Sequence, residues 1–279
     1  MNELVYLDGW IGSFEDAYVP VNDRGYNFGD GIYEVIRVYN GKLFAMEEHL
    51  NRFFLSAQAV EMDLPWGTKE LTTITNNVLA QSGIAEAMVY MQATRGVAPR
   101  NHIYEDGIKP SLLITIRAVP ERPAQMYTQG VKIITQPEFR WQLCNIKSTS
   151  LQGAVLAKNR ALRAGAAEVL FVLPDGTVTE CGASNIFIFS GGTLYTHPTG
   201  NKILSGITRQ QVLKVARAQG VAVREEPFKL EDLMAAEEIF FTGTIVEIVP
   251  VVNVDGAVVA GGRPGSVTAS LHRGFSSLR

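Results

Sequence analysis

Apolar and polar positions change period several times along the chain, and each change marks an element. Val5-Tyr6-Leu7 and Trp10-Ile11 flank Asp8-Gly9, and Ile32 to Tyr39 and Lys42-Leu43-Phe44 flank Asn40-Gly41. Both read as two-residue hairpins, because Asp-Gly and Asn-Gly tolerate the positive φ that a type I′ turn needs. From Met46 to Met62 the spacing becomes helical. Leu50, Phe53, Phe54 and Ala57 share one face, and Glu47-Glu48 suit the positive end of the helix dipole. A second helix is predicted from Thr68 to Ser82, with Gly83 as its C′ residue. Strand-like stretches follow at Ala87 to Thr94 and Ser111 to Ala118, separated by a polar loop from Arg95 to Pro110.

Pro120-Glu121-Arg122-Pro123 breaks this pattern, since two prolines in four residues fit neither a helix interior nor a central strand. The spacing therefore predicts a small domain over 1–119, a linker over 120–130 and a larger domain over 131–279. In the latter, strands are expected at Val131–Thr135, Glu168–Leu173, Thr177–Glu180, Asn185–Phe189, Leu194–Thr196, Glu238–Thr242 and Ile245–Val252. Helices are expected at Leu151–Ala164 and Thr208–Gln219, ended by Gly165 and Gly220, and over the tail from Val267 to Leu278. Such a mixture is α+β.

Composition removes several function classes. The net charge of −3 gives no basic field for nucleic acid. No apolar run approaches the ~18 residues that span a bilayer, and the first residues lack the basic and apolar regions of a secretory signal. Two cysteines in 279 residues make no disulfide framework. The histidines form no zinc-binding pair, and no metal is expected. There is no Walker A loop and no Gly-x-Gly-x-x-Gly after a strand. A cytoplasmic enzyme with reduced thiols is the expectation.

Local features propose chemistry without choosing it. Gly206-Ile207-Thr208 opens a predicted helix, whose free N–H groups could take a phosphate. Gly243-Thr244 follows a buried strand and offers another N–H and a hydroxyl. Both pairs also suit ordinary caps or turns. Lys147 ends the run Trp141 to Ile146, and apolar walls could lower its pKa enough for a nucleophilic amine, although most lysines are solvated. Glu180 at a strand end is either a solvated charge or the partner of a cationic ring nitrogen. Cys181 beside it suits an inert buried thiol better than a reactive one.

A longer set of stretches in fixed order resembles one family. They are Asp23-Arg24-Gly25-Tyr26, Phe28-Gly29-Asp30-Gly31 with Tyr33-Glu34, Glu48-His49-Leu50-Asn51-Arg52, Asn145-Ile146-Lys147-Ser148, Thr179-Glu180 with Ser184-Asn185, Gly206-Ile207-Thr208-Arg209 and Thr242-Gly243-Thr244. Together they resemble the class IV, fold type IV pyridoxal-phosphate enzymes, which include branched-chain and D-amino-acid aminotransferases and aminodeoxychorismate lyase. Tyr90-Met91-Gln92-Ala93-Thr94-Arg95-Gly96 and Pro99-Arg100-Asn101-His102 are most similar to the D-amino-acid branch. That branch uses a loop arginine and histidine two residues apart, matched by Arg100 and His102. The branched-chain enzymes carry Tyr-x-Arg on the preceding strand, and here that strand reads Tyr90-Met91-Gln92.

The resemblance implies a two-domain fold with a smaller N-terminal α/β domain and a larger C-terminal α/β-barrel-like domain. It implies pyridoxal 5′-phosphate as cofactor, bound as a Schiff base on Lys147, which also moves the proton during transfer. Glu180 would face the pyridine nitrogen, and Leu204 would pack on the ring. Arg52, Ile207, Thr208, Gly243 and Thr244 would hold the phosphate. Tyr33, Arg100 and His102 would trap the substrate carboxylate, completed at the interface of a homodimer. The implied reaction, through a pyridoxamine form, moves an amino group from a D-amino acid such as D-alanine or D-glutamate to a 2-oxo acid. Branched-chain L-aminotransferase, (R)-amine transaminase and lyase activities are the alternatives on the same fold. Two features stand apart. By helical periodicity alone Arg52 lies opposite Leu50, Phe53 and Phe54 and is expected in solvent. The serine-rich stretch of the D-enzymes after the glutamate is here Cys181-Gly182-Ala183-Ser184, with fewer hydroxyls.

Overall fold

In the computed structural model, which describes residues 2–279, Asp8 and Gly9 adopt φ of 49° and 101° and turn β1 (Leu4–Leu7) into β2 (Trp10–Gly12). Asn40 and Gly41, at 49° and 79°, do the same between β3 (Gly31–Tyr39) and β4 (Lys42–Leu43). Both turns are the positive-φ pairs that strand twist favours. A short helix, α1 (Arg24–Phe28), precedes β3, and Asp23 caps it by accepting from the Gly25 N–H at 2.8 Å. After β4 come α2 (Met46–Ala59), α3 (Thr68–Ser82), β5 (Ala87–Thr94) and β6 (Ser111–Ala118). Gly83 ends α3 at φ 66°. The helix predicted as far as Met62 stops at Ala59, and Glu61 takes a positive φ of 53°.

These elements form one compact unit, the chain up to Pro120 together with Ile146–Leu151. Its six-stranded sheet has the order β2-β1-β6-β5-β3-β4, and every neighbouring pair is antiparallel. Period-2 alternation puts Ile32, Ile36, Val89, Met91, Ile114 and Ile116 in the core with Leu50 and Phe53 of α2 and Leu71 and Val78 of α3. Tyr33 and Gln92, paired in register, belong to the opposite face. β4 pairs only with the far end of β3, so the first residues of β3 are open on that side. Residues 147–149 take the place. Tyr33 N–H donates to the Lys147 carbonyl, Thr149 N–H donates to the Gly31 carbonyl (2.9 Å each), and Ile32 and Ser148 form an antiparallel bridge.

The second unit is residues 121–145 with 152–279. It contains α4 (Gln125–Thr128), β7 (Val131–Pro137), α5 (Gln152–Arg163), β8 (Glu168–Val172), β9 (Val178–Cys181), β10 (Asn185–Ser190) and β11 (Thr193–Thr196). It continues with α6 (Ile207–Ala218), β12 (Ala222–Glu225), α7 (Leu230–Ala235), β13 (Glu238–Gly243), β14 (Glu247–Val254), β15 (Ala257–Val258) and α8 (Ser266–Ser276). The sheet order is β12-β11-β10-β13-β14-β7-β8-β9, with β15 on β14. β9 and β10 are joined by three residues and by a Cys181 N–H to Ser184 carbonyl bond of 2.8 Å, yet they stand far apart in that order. So short a link forces the sheet to curl back on itself, which gives the barrel-like form.

Two boundaries differ from the sequence reading. The segment 146–151, which carries Lys147, belongs with the first unit, because its backbone is paired with β3. The stretch expected to be linker belongs to the second unit from Glu121 on and holds α4. Among the described residues no helix is long and apolar enough to cross a membrane.

Candidate active site

The first unit gathers one group of polar side chains around Lys147. Its carbonyl is fixed by Tyr33 and its N–H donates to Ser56 Oγ of α2 at 3.1 Å. Its Nζ lies 4.2 Å from the centre of the Tyr33 ring, which in turn stacks on Tyr90 at 5.6 Å. The Tyr90 hydroxyl donates to Gln92 Oε1 at 2.6 Å. Burial, with the neighbouring Tyr33, pushes the Tyr90 phenol upward, so it stays a neutral donor. In the run before Lys147, Trp141 and Leu143 are exposed and only Ile146 is buried, so the run is not the continuous apolar segment its sequence suggested.

Beneath this group, Glu34 sits wholly buried and accepts from Arg52 Nε at 2.7 Å, Arg52 Nη2 at 2.8 Å and His49 Nδ1 at 2.7 Å. Burial alone would raise Glu34, but the Arg52 charge and both partners' hydrogen bonds outweigh it and hold the carboxyl at about 2. Burial keeps His49 neutral by lowering it. An ionised carboxylate can only accept, so the single imidazole proton is on Nδ1 and Nε2 is an acceptor. The periodicity reading of Arg52 is thus corrected. It is buried, because α2 buries His49, Arg52 and Ser56 as well as its apolar residues, and that wider arc is made of ion pairs and hydrogen bonds.

Arg100 and His102 are exposed on the loop after β5 and gather on a different ring. The Arg100 guanidinium lies 5.2 Å, and the His102 ring 5.4 Å, from the centre of Phe28. In one chain, therefore, the ring contacts of Tyr33 and those of Arg100 and His102 form separate groupings.

The second unit builds its own polar centre. Glu180, at the end of β9, is buried. Its Oε1 accepts from Arg140 Nη1 at 2.8 Å, and its Oε2 from Asn185 Nδ2 and the Leu204 N–H at 3.0 Å each. Arg140 also holds Glu138, at 2.7 Å from Nη2. Burial pushes Glu180 up to about 7 even so, against the pull of Arg140 and the Leu204 N–H. Leu204 is thus placed by its backbone, whose carbonyl also accepts from Asn185 Nδ2 at 2.8 Å. Ser184, the lone hydroxyl after the glutamate, is spent on Glu168 at 3.0 Å. Cys181 is buried with its thiol pushed well up, as an inert cysteine should be.

Beside Glu180 the donors suit a phosphate. α6 starts at Ile207 with Gly206 as N-cap and no side-chain cap. A Cβ at Gly206 would come within 2.1 Å of Asn185 Oδ1, so only glycine lets the helix start approach Asn185 this closely. Asn185 pairs in register with Thr242, and Thr242 Oγ1 is buried without a hydrogen-bond partner one residue before Gly243-Thr244. Free N–H groups, hydroxyls and a helix N-terminus are the donor set for a dianion. A phosphate-bearing pyridine with its ring nitrogen at Glu180 fits the chemistry of these residues.

The family model described as Amino-transferase class IV matches residues 31–254. The chain belongs to the class IV aminotransferase family. This class IV aminotransferase is 45% identical over 275 residues to a D-alanine aminotransferase of Listeria monocytogenes serotype 4b, covering 97% of this chain and 94% of the relative. Among solved structures it is similar to the Escherichia coli branched-chain amino acid aminotransferase, with a TM-score of 0.92, 26% identity, and coverage of 99% and 94% of the two chains. The T.th. branched-chain amino acid aminotransferase with pyridoxamine 5′-phosphate gives a TM-score of 0.92 at 25% identity, covering 98% and 93%. The fold is accordingly the fold type IV arrangement of aminotransferases.

Sequence reasoning missed Arg140 and Glu138. Their signal was a charged pair at spacing two just before an apolar run, too common to single out. Glu34 and His49 stood inside quoted stretches, but nothing local shows that a strand glutamate and a helix histidine share one ion pair.

Proposed function

We propose that this aminotransferase uses pyridoxal 5′-phosphate to move the amino group of a D-amino acid, of the D-alanine or D-glutamate type, to a 2-oxo acid. The cofactor, when bound, supplies an electron sink for the substrate's Cα. Lys147 holds it covalently and carries the proton to and from Cα, a task for an uncharged amine on a fixed backbone. Glu180, as a carboxylate, keeps a proton at the ring nitrogen, and Leu204 lies against the ring. Ile207, Thr208, Gly243 and Thr244 take the phosphate, together with Arg52, two of whose donors are held by Glu34. Tyr33, Arg100 and His102 bind the substrate carboxylate, and a second copy of the chain completes that trap in a homodimer. The enzyme acts in the cytoplasm, where its two free cysteines remain thiols.

The observation that carries the D-amino-acid reading is the pairing of Arg100 and His102 on the Phe28 ring, while the strand position that would need an arginine for the branched-chain reading holds Gln92, bonded to Tyr90. A planar guanidinium with a second donor beside it fixes a carboxylate, and hence which face of Cα meets the lysine. The relative's activity on D-alanine supports the same assignment. The test is a set of half-reactions on purified holoenzyme, followed by cofactor absorbance. D-alanine should bleach the band and form pyruvate with 2-oxoglutarate present. Bleaching by L-leucine and not by D-alanine refutes the reading.

A further inference from the structure

The loop after β5 has little structure of its own, yet both ends and the middle are held. Gly96 has φ 106°, and a Cβ there would lie 2.0 Å from the Lys109 carbonyl oxygen, so the two ends of residues 96–109 meet at a glycine. Its first residues are paired to the start of α1 and the segment before it: Arg24 N–H donates to the Gly96 carbonyl at 2.9 Å, and Ala98 N–H to the Asn22 carbonyl at 3.2 Å. The middle is held by a side chain. Arg24, 4% exposed, sends Nη1 to the Asn101 carbonyl at 2.6 Å and Nη2 to the His102 carbonyl at 3.3 Å. Its Nε goes to Asp30 at 2.8 Å.

Asp30 shares its carboxylate with a second buried arginine. Arg95 Nε reaches it at 2.9 Å, while Arg95 Nη1 and Nη2 hold the carbonyls of Glu61 and Val60, just past the end of α2. The Tyr104 ring, on the same loop, lies 3.9 Å from the Arg95 guanidinium and 5.4 Å from that of Arg24. Two cations on one carboxylate leave an excess positive charge, which the carbonyl oxygens and the ring face offset. The arrangement ties β3, the end of α2 and the loop to one buried point, and the carbonyls it grips belong to the very residues that follow Arg100.

We propose that Arg24, Asp30 and Arg95 form a positioning clamp for the substrate carboxylate: Arg24 holds the Asn101 and His102 carbonyls and so sets where Arg100 and His102 present their side chains. These are positioning residues, and the claim rests on the reading above that Arg100 and His102 meet the carboxylate. A lysine at 24 keeps the charge but cannot hold Asp30 and two carbonyls in one plane.

The test uses Arg24→Lys holoenzyme, with Tyr104→Leu as a milder variant that leaves both arginines in place. Half-reactions with D-alanine and with D-alaninol, which lacks the carboxylate, are followed by cofactor absorbance. Arg24→Lys should weaken D-alanine saturation about tenfold, the factor carried by one lost charge-assisted hydrogen bond, with the limiting rate changed less than about threefold. The D-alanine to D-alaninol efficiency ratio should fall by about tenfold too. Amide exchange over 97–104 should quicken while α2 and α3 keep their protection. Tyr104→Leu should move the same quantities in the same direction by less. An unchanged ratio in Arg24→Lys, or equal losses on both substrates, overturns the clamp. Arg100→Ala separates the two claims: if it too leaves the ratio unchanged, the carboxylate reading itself fails, and if only Arg100→Ala lowers it, only the clamp does.

Discussion

Replacing Arg140 with methionine tests the ring-nitrogen role of Glu180 through its pH dependence. Arg140 Nη1 is 2.8 Å from Glu180 Oε1, and both side chains are largely out of water, so the guanidinium is the main force against burial. With it, Glu180 titrates at about 7. At pH 7.5 about three-quarters of such a carboxyl is ionised. An opposite charge at this distance changes a carboxyl's acid constant by about 100-fold. Without Arg140, only about 3% should be ionised at pH 7.5, a loss of about 25-fold in the form that holds a proton at the ring nitrogen. A bound pyridinium stabilises the carboxylate in both proteins, so the difference between them survives in the holoenzyme. The assay is the limiting rate of the D-alanine half-reaction from pH 6 to pH 10. Its acid limb should move up by about two pH units in Arg140→Met, with activity largely recovered at the alkaline end. A uniform loss at every pH, with the limb in place, would refute the reasoning and leave Arg140 a packing residue on Phe171.

Three further outcomes follow from the buried centres. Glu34→Gln takes the Glu34 counter-charge from Arg52 and weakens the bond that neutral His49 donates, and should cost about 3–5 kcal/mol of stability, read as a lowered melting temperature or denaturant midpoint. In the native chain Glu34 is depressed from 4.5 to about 2, so its contribution is complete above pH 4.5 and disappears as pH falls toward 2; the shift corresponds to about 3 kcal/mol, and denaturant titrations across that range should show it lost in the variant. Gly206→Ala drives a methyl into Asn185 and through it disturbs the Glu180 and Leu204 bonds; cofactor affinity, read by fluorescence titration of the apoenzyme, should fall about tenfold or more while the fold persists. Lys147→Ala should abolish borohydride fixation of the coenzyme, and fixation on another lysine would sink the assignment.

Much of the framework was legible because local rules write it. The Asp8-Gly9 and Asn40-Gly41 turns, the period-2 alternation of β5 and β6 and the glycine end of α3 depend only on backbone preferences and on which face meets the core. Elements without such signals were missed. β12 (Ala222–Glu225) is a mostly exposed edge strand, and α7 (Leu230–Ala235) is under two turns long, so neither shows a usable period. The domain boundary failed at 146–151 for a different reason. A strand bridge to β3, distant in sequence, decides where Lys147 belongs, and no window along the chain contains that pairing.

The same contrast holds for the polar residues. Gly206, Thr208 and Gly243 could be proposed as phosphate holders because a helix start and a strand end are local features. Arg52 entered only through the family resemblance, since amphipathic counting assigns every charge to solvent and is blind to a helix face buried through charge. The Glu34–Arg52–His49 and Asp30–Arg24–Arg95 clusters share that property: a carboxylate from β3 or the turn before it faces two basic groups brought from other elements. Burying such charges is costly unless each has an ion-pair partner; Arg52 has Glu34, while Arg24 and Arg95 share Asp30, with carbonyl oxygens and the Tyr104 ring offsetting the excess. Excess charge on the buried side of a sequence pattern is therefore informative. A helix or strand whose core-facing arc contains arginine or glutamate must be meeting its counter-ion there, and in this fold such pairs stand beside Lys147 and under the Arg100 loop.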